Sequence, residues 1–219
     1  SADLDPNPGI TDFIDRARQV GAMMNNREIG ITFLGENDGF NYAFGMYNGN
    51  RLENENDGDF LYTGRLSYTF GSDDNSLELG LNGALNQSEN ERVGRSGLTS
   101  LGDRTIFGFY AEFNKAPIFG TFEYLQSNFD AQELQAEETI SGFYGTIGTN
   151  LSERDQILAR WDHLEYDILN RNSDLLILAW KRKITSLFSI HLNALALLDS
   201  EEFNGDDQFG LKANFQFQF

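Results

Sequence analysis

Ser189, His191 and Asn193 recur at every second position, and their types could supply a nucleophile, a base and an orienting amide. On a strand all three share a face. Asn193 makes a Ser, His, Asn ladder conceivable, but same-face neighbours on one strand stand about 7 Å apart, too far for a working nucleophile–base contact. No catalytic residues are assigned, and the chain is read as not an enzyme. Gly142, Gly145 and Gly148 repeat at a spacing of three, as in a phosphate loop, but that loop needs a lysine and a following helix, and neither is present. Carboxylates cluster at Glu53, Glu55, Asp57 and Asp59, at Glu133, Glu137 and Glu138, and at Glu201, Glu202, Asp206 and Asp207. Such clusters serve as solvated loops or as sites for hard divalent cations. The string NENDG at 54–58 lacks the glutamate that would close a calcium loop, so no metal site is assigned. With 0 Cys and 2 His, neither thiolate chemistry nor zinc is expected, and no cofactor is expected.

The elements that would carry these residues read as membrane strands. Residues 209–219 (FGLKANFQFQF) alternate without a break, with Phe209, Leu211, Ala213, Phe215, Phe217 and Phe219 on one face and Gly210, Lys212, Asn214, Gln216 and Gln218 on the other. About 9–11 residues of period two is what a tilted strand needs to cross a bilayer. Period-two runs and turn signals give eleven strands, at 27–35, 40–48, 60–70, 76–88, 105–115, 118–129, 139–150, 156–168, 174–184, 187–198 and 208–219. Connections alternate between short (Glu36–Gly39, Gly71–Asn75, Ala116–Pro117, Glu153–Asp155, Thr185–Ser186) and longer polar ones, as in barrels with tight periplasmic turns and extended extracellular loops. The expected fold class is all-β, a transmembrane antiparallel up-and-down β-barrel in the bacterial outer membrane. Bacterial barrels have even strand numbers, so an odd count that starts and ends running downward implies further strands upstream. Mean hydropathy of −0.43 is compatible, because a barrel strand gives only half its residues to lipid. A net charge of −18 argues against a nucleic-acid partner.

Alternation sorts the faces. Tyr62, Leu66, Tyr68 and Phe70 point outward with Thr63, Arg65, Ser67 and Thr69 inward; Leu77, Leu79, Leu81 and Leu85 outward with Glu78, Asn82 and Asn86 inward; Phe107, Phe109, Ala111 and Phe113 outward with Tyr110, Glu112 and Asn114 inward. A polar interior implies water rather than a packed core. Residues 139–150 leave the phase open, with either Phe143, Gly145 and Ile147 or Tyr144 and Thr146 outward. In 174–184 an apolar run precedes Lys181, Arg182 and Lys183; Trp180 and a snorkelling Arg182 would anchor the interface, with both lysines lumenal. His163, beside Trp161, reads as an interface residue. Pore-lining candidates are Arg65, Arg160, Lys181, Lys183 and Lys212, against Glu28, Glu78, Glu112 and Glu123.

Residues 1–26 are read as a loop segment preceding the barrel strands of 27–219. Ile10, Phe13, Ile14, Ala17 and Val20 have helical spacing, and Thr11 or Asp12 could cap the start. Such a helix either lies on the barrel rim or folds into the channel as a constriction, with Arg16 and Arg18 facing the pore.

The strings RQVGAMMNNREIGITFLGENDG and FNYAFGMYNGN, within 18–50, resemble the phosphate-selective porin O and P family. The resemblance implies a sixteen-stranded barrel, a homotrimer, loops that narrow an aqueous pore, and passive diffusion of small hydrophilic solutes or anions such as phosphate. The terminal Phe219 resembles the signal by which outer-membrane barrels are inserted, which implies the barrel-assembly machinery as a partner beside outer-membrane lipid and lipopolysaccharide. The mixed lumenal charge departs from the family's arginine- and lysine-lined pore. The competing reading is a plugged barrel that anchors a larger envelope complex.

Overall fold

The computed structural model describes residues 13–24, 28–49, 59–72, 74–87, 89–198 and 207–217. Phe219, Thr11, Asp12, the NENDG string and the carboxylates at 53–57 and 201–206 lie outside the described residues. The elements are helix α1 (Arg18–Met23) and strands β1 (Gly30–Asn37), β2 (Phe40–Tyr47), β3 (Leu61–Ser72), β4 (Asn75–Asn86), β5 (Glu91–Arg92), β6 (Thr99–Ser100), β7 (Arg104–Lys115), β8 (Ile118–Ala131), β9 (Ala136–Asn150), β10 (Asp155–Tyr166), β11 (Arg171–Lys183), β12 (Phe188–Leu198) and β13 (Gln208–Phe217). The strands belong to one antiparallel sheet in which the eleven long ones follow one another in chain order, an up-and-down meander with β1 and β13 at its edges. The fold class matches the expectation. The short β5 and β6 were not foreseen.

Local chemistry sets this order. Between β1 and β2 the two-residue loop Asp38–Gly39 takes φ of 49° and 79°, the left-handed pair a type I′ hairpin demands, and Asn37 faces Phe40 across it. Along the strands the outward face is apolar and exposed, with Leu81, Phe107 and Leu178 each more than half accessible. Side chains of this kind belong in hydrocarbon. Rings of Phe109, Phe122, Phe143 and Trp161 run across four strands with centroids 5.9, 5.9 and 4.9 Å apart in sequence. The phase of 139–150 is settled here, because Tyr144 and Thr146 are buried on the inner face and Ile147 is exposed on the outer one.

Three expectations need correction. The connections 132–135 and 167–170 span only four residues each, the first because β8 and β9 extend beyond their expected ends and the second because β11 begins at Arg171, ahead of its expected start. Glu138 is buried rather than a solvated loop carboxylate, and it accepts the backbone N–H groups of Thr139, Ile168 and Leu169 at 3.0 Å each. The interior, lastly, is not uniformly polar. Leu125, Phe129, Ile140, Tyr144 and Leu164 pack on the inner face of β8–β10 against Ala17, Val20 and Met23, with Val93 and Leu98 from the β5–β6 hairpin covering the same cluster. A second cluster joins Phe13 to Leu158, Leu175, Ile177, Ala179 and Leu197 on β10–β12.

Helix α1 is shorter than the spacing implied and lies inside, not on the rim. It starts at Arg18 with Ala17 at the N-cap position and no side-chain cap. Helical spacing over Phe13 to Val20 reflects burial of one face. Phe13 is spent on the wall instead of on a helical turn.

Candidate functional site

The inner face divides into an open half, β2–β7, and a covered half, β8–β12. In the open half Arg65 (β3), Glu78 (β4), Glu112 and Tyr110 (β7) converge. Arg65 Nε donates to the Tyr110 hydroxyl at 2.8 Å, its guanidinium lies 4.6 Å from the Tyr110 ring centre, and Arg65 Nη2 reaches Glu78 at 3.4 Å. The Tyr110 hydroxyl donates in turn to Glu78. Gly80, opposite Tyr110, is what lets that ring lie flat on the wall, since a Cβ there would come within 2.1 Å of the tyrosine Cε1. Glu78 and Glu112 face each other in register, a like-charge pair that Arg65 offsets. All four polar groups reach solvent or one another, so this half presents charge of both signs on the inner face.

The covered half treats its charges differently. Arg160 was expected to line the pore. Its alternation is inward as expected, yet its side chain is 1% exposed, paired with Asp162 at 3.1 Å and roofed by the Phe13 ring at 4.5 Å. It meets segment 13–24, not water. Glu123 is corrected in the same way: it is fully buried and accepts from Asn82 Nδ2 at 3.2 Å. Lys212 of β13 forms an ion pair with Asp15, so its charge is matched by the segment. Arg16 and Arg18 flank the start of α1 and are partly exposed, and Glu28 sits half-buried just before β1.

At the end of the wall carrying the turns 151–154 and 184–187, Asn150, Gln156, Lys181, His191 and Asn214 form one cross-strand row, with Lys183, Ser189 and Gln216 in register next to it. All but Asn214 line a concavity of about 590 Å³. Beside it, Asp155 accepts from Trp180 Nε1 at 3.2 Å and pairs with Arg182 at 3.4 Å, which holds both side chains in place. Ser189 Oγ lies 3.4 Å from His191 Nε2, because side chains on one face can lean together across the backbone spacing. Asn193 is not third in that row; with its amide turned end for end, its oxygen accepts from the Ile14 N–H at 3.0 Å. His163 and Trp161 both bond Asp174 on the outer face, at 3.1 and 2.7 Å. Among the described residues no three His, Asp or Glu side chains gather as metal ligands.

No protein-family model matches the chain, and no curated protein matches it. Solved structures do. The chain is similar to an anion-selective porin from Comamonas acidovorans, with a TM-score of 0.67 at 15% identity over 92% of this chain and 64% of that one. It is similar to OmpT of Vibrio cholerae in its trimer form, with a TM-score of 0.60 at 11% identity, covering 88% of this chain and 65% of that one. A second structure of outer-membrane expressed OmpT of Vibrio cholerae gives 0.56 at 12%, covering 84% and 61%. The chain thus spans less than two thirds of the length of each. At such identities the likeness shows the fold, that of a porin-like outer-membrane β-barrel, and with its apolar outer face the chain is a protein of the outer membrane. The expectation that it is not an enzyme does not stand. The barrels sharing its fold include OmpT as well as a porin, and the separation argued to keep Ser189 from His191 is bridged.

Proposed function

We propose that the chain forms part of a water-filled outer-membrane channel through which small hydrophilic solutes and ions diffuse, with segment 13–24 as its constriction. The observation that carries this reading is the division of the inner wall. One half is packed by a segment folded inward, and the other presents Arg65, Glu78 and Glu112 beside it, an arrangement that narrows a lumen and leaves charge along the remaining passage. Arg16 and Arg18 on the segment, with Lys181 and Lys183 toward the turn end, favour anions, phosphate among them, in line with the resemblance to the porin O and P family. The Comamonas porin is described as anion-selective, which supports the same preference. Trimer assembly, with insertion through Phe219, belongs to this proposal; OmpT of Vibrio cholerae has been solved as a trimer.

The second reading, an anchoring barrel with a plugged pore, draws on the same apolar docking of segment 13–24. Purified full-length protein in planar bilayers separates the two. Discrete conductance steps with a reversal potential leaning toward anions in a salt gradient are expected, and Arg65→Gln should move that potential toward cations. A plugged anchor gives no steps.

A further inference from the structure

Segment 13–24 meets the wall in two opposed ways. Its backbone is tied at three points: Arg160 Nη2 donates to the Arg16 carbonyl at 3.2 Å, Arg104 Nη1 to the Met23 carbonyl at 2.6 Å, and the Asn193 side-chain oxygen accepts from the Ile14 N–H at 3.0 Å. The ties come from β10, β12 and the first residue of β7, where the open half meets the covered one, so they hold the segment across the covered half and at its border. Arg104 meets the carbonyl end of α1, where the helix leaves acceptors unfilled and its dipole favours a cation.

Gln19 works against them. It is fully buried in the middle of the segment, and among the described residues neither its amide nitrogen nor its amide oxygen has a hydrogen-bond partner. Its Cβ stands 2.9 Å from where a Cβ at Gly142 would be, so the wall meets it with bare backbone. A buried amide without partners keeps the full cost of leaving water, a cost that a methionine of similar size would not carry. Docking is therefore favoured by two buried arginines and opposed by one residue at its centre.

We infer that segment 13–24 has two positions, docked on the wall and displaced into the lumen, with Arg104 and Arg160 as positioning residues and Gln19 as the residue that keeps docking reversible. This rests on the channel reading above. The displaced position narrows the passage, so an open channel has two conductance levels, the larger one docked. Single-channel recordings of the full-length protein test it, with heat-modified electrophoretic mobility to certify folded barrels. Gln19→Met should abolish or sharply reduce time in the smaller level. Arg104→Gln and Arg160→Gln should increase that time, and Arg160→Lys should bring it partway back toward the unmodified value. One conductance level in the unmodified protein, or occupancies that none of these variants changes, overturns the inference while leaving the channel reading intact. Absence of any steps overturns the channel reading itself.

Discussion

Two arginine–carboxylate pairs on the inner face of one sheet show how different its halves are. Arg65 and Glu78 bridge β3 and β4 at 3.4 Å with side chains 39% and 23% exposed, whereas Arg160 and Asp162 pair within β10 at 3.1 Å with 1% and 0% exposed. The chemistry is the same, and both pairs obey the alternation that turns them inward. What separates them is a segment nearly 150 residues earlier in sequence that covers one and not the other. In the open half a charge remains available to whatever occupies the lumen; in the covered half it holds a loop in place.

The sharpest way to break this comparison is to remove one carboxylate at a time. Asp162→Asn leaves the Arg160 charge buried without its partner and should destabilise by about 3–5 kcal/mol. Glu78→Gln removes half of a partly exposed pair and should cost about 0–1 kcal/mol. Urea unfolding of barrels refolded in vesicles measures both, and equal costs would erase the distinction between the halves.

A second contrast uses glycines on opposite faces. Gly80→Ala places a methyl 2.1 Å from the Tyr110 ring and displaces the residue that links Arg65 to Glu78. Overpacking of this kind costs about 1–3 kcal/mol, and the reversal potential should shift with it. At Gly145, facing outward, the nearest group to a new Cβ is Phe122 at 3.9 Å, so Gly145→Ala should be silent in both measurements.

The smallest effect lies outside the membrane. Glu133 accepts from the Thr99 N–H at 2.9 Å and the Thr99 hydroxyl at 2.8 Å, tying the connection after β8 to β6. Slight burial works to raise its pKa, but the two Thr99 hydrogen bonds, one from its own backbone and nearby Arg92 outweigh it and hold the group below the ordinary 4.5. A carboxyl with a depressed folded-state pKa stabilises fully above its unfolded value and loses that contribution as pH falls through the folded one. Amide exchange at Thr99 should therefore accelerate, after correction for intrinsic rates, below about pH 4.5, and Glu133→Gln should remove the dependence.

Much of the wall was legible in the sequence because a strand reports its own facing residue by residue. Arg65, Glu78, Glu112 and the outward leucines of β4 needed only parity, and Asp38–Gly39 announced its hairpin. The covered half was not legible, because Arg160, Glu123 and Asp162 look the same in sequence whether water or Phe13 lies above them. One signal was present. In DLLILAWKRKI both faces are apolar, Leu175, Ile177 and Ala179 inward as well as Leu176 and Leu178 outward, and a strand apolar on both faces is covered on both. Read with the helical spacing of Phe13, Ala17 and Val20, that run points to an inward segment. The β5–β6 hairpin left only Val93 and Leu98 as traces in a polar connection.

Cysteine accessibility tests the division of the wall most directly, since the chain has no cysteine of its own. Thr69→Cys places a thiol on the inner face of the open half, and Ala179→Cys places one beneath segment 13–24, where the native residue is 1% exposed. A charged, membrane-impermeant thiol reagent added to conducting channels should react at position 69 and reduce the current, while position 179, covered whenever the segment is docked, should react far more slowly. Rapid modification and block at position 179, or none at position 69, would contradict the account.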